Sequence, residues 1–116
     1  MNLQATEDGL NKIFNNLISN AIKYTPTRGS IRIEVVEKSD QVKVSIADTG
    51  IGIPEEALPR LGEEFYRAKN AKKSGITGTG LGLSIVKQVM DYFGGKMDIQ
   101  SVEGQGTMVT LTFRKY

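Results

Sequence analysis

Three clusters of glycine, each beside a segment of regular periodicity, constrain this 116-residue chain more than any other feature. They are Gly50-Ile-Gly52, Gly78-Thr-Gly80-Leu-Gly82 and Gly104-Gln-Gly106. Eleven of the 13 glycines lie between Gly50 and Gly106, so the excess is local. Glycine at such places lets the backbone take positive φ or approach a ligand closely. Plain turn-making is the simpler account of any one cluster. Three clusters in one chain, with Asn16 and Asn20 upstream of them, argue for more than turns.

The length suits a single domain. With 39% hydrophobic and 24% charged residues the chain is neither collagen, coiled coil nor wholesale disorder. It has no cysteine and no histidine. Disulfides, thiolate metal sites, imidazole bases and histidine phosphate acceptors are thereby excluded within it. Chemistry must run on carboxylates, amides, lysines, arginines, hydroxyls and backbone groups. A net charge of +2 is too small to argue for a nucleic-acid partner. No apolar run approaches the ~20 residues of a membrane span, and no signal-peptide pattern opens the chain. The start at Met1-Asn2-Leu3, just before a helix, fits a piece of a longer protein or a small complete one.

Leu10, Ile13, Phe14, Leu17, Ile18, Ala21 and Ile22 recur at i, i+3, i+4, i+7 spacing, which predicts a helix from about Asp8 to Tyr24. Thr6, Glu7 and Asp8 supply its cap and first-turn charge, and Pro26 and Gly29 stop it. Ile31, Ile33 and Val35 alternate with polar residues, as do Val42, Val44 and Ile46, predicting a hairpin through Ser39-Asp40. A short helix is expected near Glu55–Leu58. A further helix starts after Gly80, with Ile85, Val86, Val89, Met90 and Phe93 on one face and Gly94-Gly95 at its end. Strands at Met97–Ser101 and Thr107–Phe113 close the chain. The order predicts an α/β (α+β) two-layer sandwich: a mixed, mostly antiparallel sheet with about three helices on one face.

Asparagine is a poor helix former, so Asn16 and Asn20 in the first helix are unusual. At ~100° per residue they form a polar stripe with Lys23, and Tyr24 stands where that stripe meets the core. The stripe is either a solvated face or a pair of amide oxygens offered to one hard cation or phosphate group. Asp48 shares inward parity with Val42, Val44 and Ile46, where a carboxylate is costly without hydrogen bonds. It either caps the Thr49-Gly50 turn or lies at the bottom of a pocket, as an acceptor for a donor such as the exocyclic amine of adenine. Thr107 has inward parity too; if the two strands are neighbours, it lines the same pocket. Gly78–Gly82 runs into a helix, a natural phosphate site, yet it is neither a Walker A loop nor a dinucleotide fingerprint. Arg67, Lys69, Lys72 and Lys73 precede it, with no acidic residue between Glu64 and Asp91. That stretch reads as bound-polyphosphate chemistry or as a merely soluble loop.

Together these residues resemble the ATP-binding catalytic domain of two-component sensor histidine kinases, whose wider superfamily, with the Bergerat ATP-binding fold, includes type II topoisomerase, Hsp90-type and mismatch-repair ATPases. Five motifs occur in the family's order: Asn16-Leu-Ile-Ser-Asn20-Ala-Ile-Lys23-Tyr24-Thr25, Asp48-Thr-Gly50-Ile-Gly52-Ile-Pro54, Glu64-Phe65-Tyr66-Arg67, Gly78-Thr-Gly80-Leu-Gly82-Leu-Ser-Ile-Val-Lys87 and Gly104-Gln-Gly106-Thr107. Gly62 departs from the pattern, because the family has an aromatic residue there.

The resemblance implies ATP and Mg²⁺ as cofactors, with Asn20 as metal ligand and Asn16 near the reacting phosphates. Lys23 and Arg67 would pair with phosphate charge, and these two with Asn16 and Asn20 would form the catalytic set. Asp48 would accept from the adenine amine, with Gly52 and Thr107 helping on the same base and Tyr24 packing near the nucleotide; Gly50 and Ile53 would also bind the cofactor. Tyr66, Thr79, Gly80, Leu81, Gly82 and Leu83 would complete the nucleotide site, with a lid over about 66–79. Residues 1–116 would form one catalytic domain, a fragment of a longer kinase, cytoplasmic and monomeric when isolated, its parent open to membrane anchoring. Self-contained ATPases of the superfamily carry glutamate at the position of Asn16, and an amide lacks the basicity to activate water. The acceptor would thus be a histidine on a separate helical dimerisation domain, feeding a response regulator. A serine kinase of the anti-sigma type, a self-contained ATPase and a non-enzymatic binding module are the alternatives.

Overall fold

The computed structural model describes residues 3–61, 63 and 82–115. Helix α1 spans Glu7–Tyr24. Its cap is Thr6, whose hydroxyl accepts from the Gly9 N–H at 3.1 Å, with Glu7 and Asp8 complementing the helix dipole. Thr25 leaves helical geometry at φ −105°, as the residue before a proline must. Ile13, Leu17 and Ala21 form its buried stripe.

Two hairpins follow the polar-apolar alternation. Strand β1 is Ile31–Glu37 and β2 is Gln41–Asp48; β3 is Lys96–Val102 and β4 is Gly106–Arg114. A 3-10 helix, Glu55–Arg60, stands where a short helix was expected, and helix α2 occupies Gly82–Tyr92. Gly95 N–H bonds back to the Met90 carbonyl at 2.9 Å past Gly94 at φ 71°, a left-handed helix terminator. The strand order is β1-β2-β4-β3, and all pairings among the described residues are antiparallel, so the sheet shows no parallel component there. Among these residues no helix is long and apolar enough to cross a membrane.

The register stacks side chains in rows on the helix-covered face. Val35, Val44, Leu111 and Met97 form one row; Ile33, Ile46, Val109 and Ile99 form the next. Of these, Val44, Leu111, Ile46 and Val109 join Ile13, Leu17, Val86, Met90, Phe93 and Phe113 in the core, with Met97 and Ile99 packed against it and the Phe14 and Phe113 rings 6.4 Å apart. The third row is different in kind: Ile31, Asp48, Thr107 and Ser101. The core therefore ends in polar side chains at one edge.

Strand β1 pairs normally but is exposed along its length, with Ile33 at 50% and Val35 at 58%. Alternation correctly marks which side of β1 faces the helix layer, yet α1 packs over β2 and against α2. At the far end, Lys115 Nζ donates to Glu37 Oε2 at 2.8 Å, and this hydrogen bond and charge hold the Glu37 carboxyl below its ordinary range.

The α1–α2 contact depends on a missing side chain. A Cβ on Gly9 would run into the ring of Phe93, which is buried. Alanine is the better helix former by about 1 kcal/mol, but overpacking a core contact costs about 1–3 kcal/mol. Gly9→Ala is therefore expected to lower the melting temperature by roughly 5 °C in a thermal denaturation. A rise would show that propensity outweighs this contact.

Candidate functional site

At the polar row, β2 and β4 place Asp48 directly opposite Thr107, so the two inward residues do share one wall. Asp48 Oδ1 accepts from the Gly50 N–H at 2.9 Å and from the Thr107 N–H at 3.3 Å. The first of these is the turn-capping bond that the sequence allowed. It consumes only one carboxylate oxygen: among the described residues, no donor is directed to Oδ2. Capping and pocket acceptor are thus compatible roles for one side chain.

The glycine turn after Asp48 is held against the end of α1. Ile51 N–H bonds to the Tyr24 carbonyl at 3.0 Å, and a Cβ on Gly50 would meet that same oxygen. Gly104 N–H reaches the Ile51 carbonyl at 2.7 Å, tying the third glycine cluster to the first. Gly50 and Gly52 are buried; Tyr24 and Ile53 are partly exposed.

Ser101 joins this wall although no motif of the sequence marks it. Its Oγ accepts from the Ile53 N–H at 2.8 Å, donates to the Gly106 carbonyl at 2.8 Å, and lies 2.8 Å from Thr107 Oγ1. The available signal was its parity with Met97 and Ile99, a polar residue on the inward side of β3.

The asparagine stripe lies against the start of α2. A Cβ on Gly82 would sit 3.3 Å from Asn20 Nδ2 and 3.4 Å from Asn16 Oδ1, so glycine is what lets the α2 N-terminus approach both amides. Asn16 Nδ2 donates to the Lys12 carbonyl at 2.6 Å. Since that carbonyl can only accept, the Asn16 amide nitrogen is held by its own helix, and among the described residues Oδ1 has no donor directed to it. Lys23, in the last turn of α1, is exposed. Leu83 is partly buried and packs against the core. Tyr66, Arg67, Thr79, Gly80 and Leu81, together with Gly62 and the expected lid at 66–79, lie outside the described residues.

Two clusters thus meet along α1: a carboxylate and hydroxyl wall below the Tyr24 end, and two amides facing Gly82 one and two turns earlier. Neutral amide oxygens at i, i+4 are hard ligands of the kind Mg²⁺ accepts, and that ion takes few protein ligands when phosphates supply the rest. Among the described residues there is no group of three or more histidine, cysteine, aspartate or glutamate side chains that would hold a metal by itself. The donor set that the described residues offer at this end of α1 is the pair of amides alone, which suits a cation whose remaining ligands come from phosphate and water.

Residues 5–116 match the family described as histidine kinase-, DNA gyrase B-, and HSP90-like ATPase. The phosphate regulon sensor protein PhoR of Pseudomonas aeruginosa is 43% identical over 111 residues, covering 96% of this chain and 25% of that protein. The sensor histidine kinase WalK of Bacillus subtilis is 37% identical over 112 residues, covering 95% of this chain and 18% of that one. The chain thus spans a quarter or less of the length of these two curated relatives. Among solved structures, the mycobacterial sensor histidine kinase MprB superposes with a TM-score of 0.86 at 28% identity, covering 96% of this chain and 75% of that one. The catalytic domain of histidine kinase ThkA gives 0.80 at 31% identity, covering 96% and 70%.

Proposed function

Because the chain belongs to the family of histidine kinase-, DNA gyrase B- and HSP90-like ATPases, we propose that it is the ATP-binding catalytic domain of a sensor histidine kinase, and that the polar row at Asp48 and the amides facing Gly82 hold the two ends of one ATP molecule. The observation that carries this reading is the division of labour in Asp48. Oδ1 is fixed by two backbone N–H groups, which leaves Oδ2 as the carboxylate oxygen to which no described residue donates, on the strand pair shared with Thr107. An exocyclic amine satisfies such an acceptor; a carbonyl at the same place on a purine does not.

The base enters between Asp48, Thr107 and the turn at Gly50, Gly52 and Ile53, with Tyr24 beside it. The phosphates then reach the start of α2, where backbone N–H groups and the helix dipole favour anions. Asn20, with Asn16 beside it, would hold Mg²⁺, which when bound neutralises phosphate charge. Lys23 adds a positive charge on the same side of α1, and Arg67, Tyr66, Thr79, Gly80 and Leu81 are assigned to the site on their motif positions alone. Asn16 cannot take a proton from water, since an amide has no useful basicity. Water is therefore a poor acceptor here, and the domain works by positioning and charge neutralisation, as phosphoryl transfer generally requires. With no histidine in the chain, the acceptor is a histidine on a separate helical domain of the same kinase, which passes phosphate to a response regulator. The reaction belongs to the cytoplasm, and residues 1–116 act as one domain and as a monomer when isolated.

Incubation with ATP, Mg²⁺ and a histidine-bearing helical domain of a sensor kinase tests this. The expected product is acid-labile phosphate on the added domain, with very slow phosphate release by the chain alone. Acid-stable phosphate would point to a serine kinase, and rapid release without a partner to a self-contained ATPase. Asn20→Ala is expected to remove the magnesium-dependent gain in ATP affinity, about tenfold or more. Equal magnesium dependence in the variant and the unaltered chain, read by calorimetric titration, would refute the metal assignment.

A further inference from the structure

The Ser101 hydroxyl is fully committed. A serine oxygen has one proton to give and two lone pairs to accept with. Gly106 O can only accept, so the proton lies on that bond; Ile53 N–H can only donate, so it occupies one lone pair. The remaining 2.8 Å contact, to Thr107 Oγ1, then has one solution: Thr107 donates and Ser101 accepts. Thr107 is left with lone pairs alone toward the pocket. Beside it, Asp48 Oδ2 is an acceptor as well. The wall thus offers two acceptors and no hydroxyl donor.

We infer that Ser101 is a positioning residue for base selectivity, which fixes the Thr107 proton away from the pocket and so makes Thr107 an obligate acceptor that favours a purine with an amine at the 6-position over one with a carbonyl there. This rests on the adenine pocket proposed above. Ser101 does not touch the base; it acts through Thr107. It also couples selectivity to the glycine turn, because the same oxygen holds Ile53 N–H. Without Ser101 the Thr107 hydroxyl rotates freely and can donate to a purine carbonyl.

The test is calorimetric titration of the whole chain with ATP and with GTP. Ser101→Ala is expected to lower the ratio of ATP to GTP affinity by about tenfold, the worth of one hydrogen bond gained or lost. Ser101→Thr keeps the hydroxyl and should keep the ratio. Thr107→Val should lower the ratio by a comparable factor, and Ser101→Ala added to it should change the ratio no further. A purely structural serine would instead weaken both nucleotides alike, leaving the ratio unchanged, and that result overturns the inference. So does a wild-type ratio in Thr107→Val, which can be read even if Ser101→Ala fails to fold. If the unaltered chain binds both nucleotides equally or neither, the adenine pocket itself is wrong. Selective binding by the unaltered chain with an unchanged ratio in the Ser101 variant removes only the role of Ser101.

Discussion

Asp48→Asn is expected to weaken ATP binding by about a hundredfold, the loss of a charge-assisted hydrogen bond with a donor left facing a donor. The geometry makes the substitution unusually clean. Asparagine retains Oδ1, and both backbone N–H groups that bond to Asp48 go to that atom. The turn at Gly50 and the β2–β4 junction keep their hydrogen bonds, so the melting temperature should change by only a few degrees at most. What changes is the second pole. An NH₂ group replaces Oδ2 and meets the adenine amine, also a donor. Titration and thermal denaturation on the same sample check both halves. Unchanged ATP affinity would remove Asp48 from the site, and a large fall in stability would show that its second oxygen has a structural partner.

Gly106→Ala should produce the largest loss of stability, about 3 kcal/mol or more, since strain at a disallowed φ and a backbone clash each cost on the order of 1–3 kcal/mol. Gly106 has φ 139°, and its Cβ would collide with the Asp48 carbonyl oxygen, which belongs to backbone and cannot swing aside. Relief would require β4 to separate from β2 at the Asp48–Thr107 pair. A drop of about 10 °C or more in melting temperature is expected, with ATP affinity lost in parallel. Gly104 provides the control. It also has positive φ, at 84°, but a Cβ there meets nothing within 4 Å. Gly104→Ala should therefore cost only the local strain, about 1 kcal/mol. Equal destabilisation by the two substitutions would mean that the clash at Gly106 relaxes freely.

The contrast between those glycines indicates what could be read from the chain alone. Periodicity is local, so both hairpins and both long helices were legible to within a residue or two, and so was the inward parity of Asp48 and Thr107. Adjacency of β2 and β4 was not, because no local pattern says that a strand pairs with one some sixty residues away, and the shared wall depends on that pairing. The exposure of β1 was hidden for a related reason. Alternation tells Ile33 and Val35 which side to face, whereas the extent of the helix layer over them is set by how α1 packs on α2 and β2. Ser101 was overlooked because a serine in an alternating strand is unremarkable until the register puts it beside Thr107. The polar stripe of Asn16 and Asn20 was visible as an oddity of composition, but its meaning depends on Gly82 arriving against it.

The most direct measurement is a calorimetric titration of the unaltered chain with ATP and with GTP, each with and without Mg²⁺. The account predicts ATP binding that tightens with Mg²⁺ and GTP binding at least about tenfold weaker, because the acceptors at Asp48 and Thr107 meet the 6-amine of adenine but the 6-carbonyl of guanine. Equal affinity for the two nucleotides, or no binding of either, would contradict it.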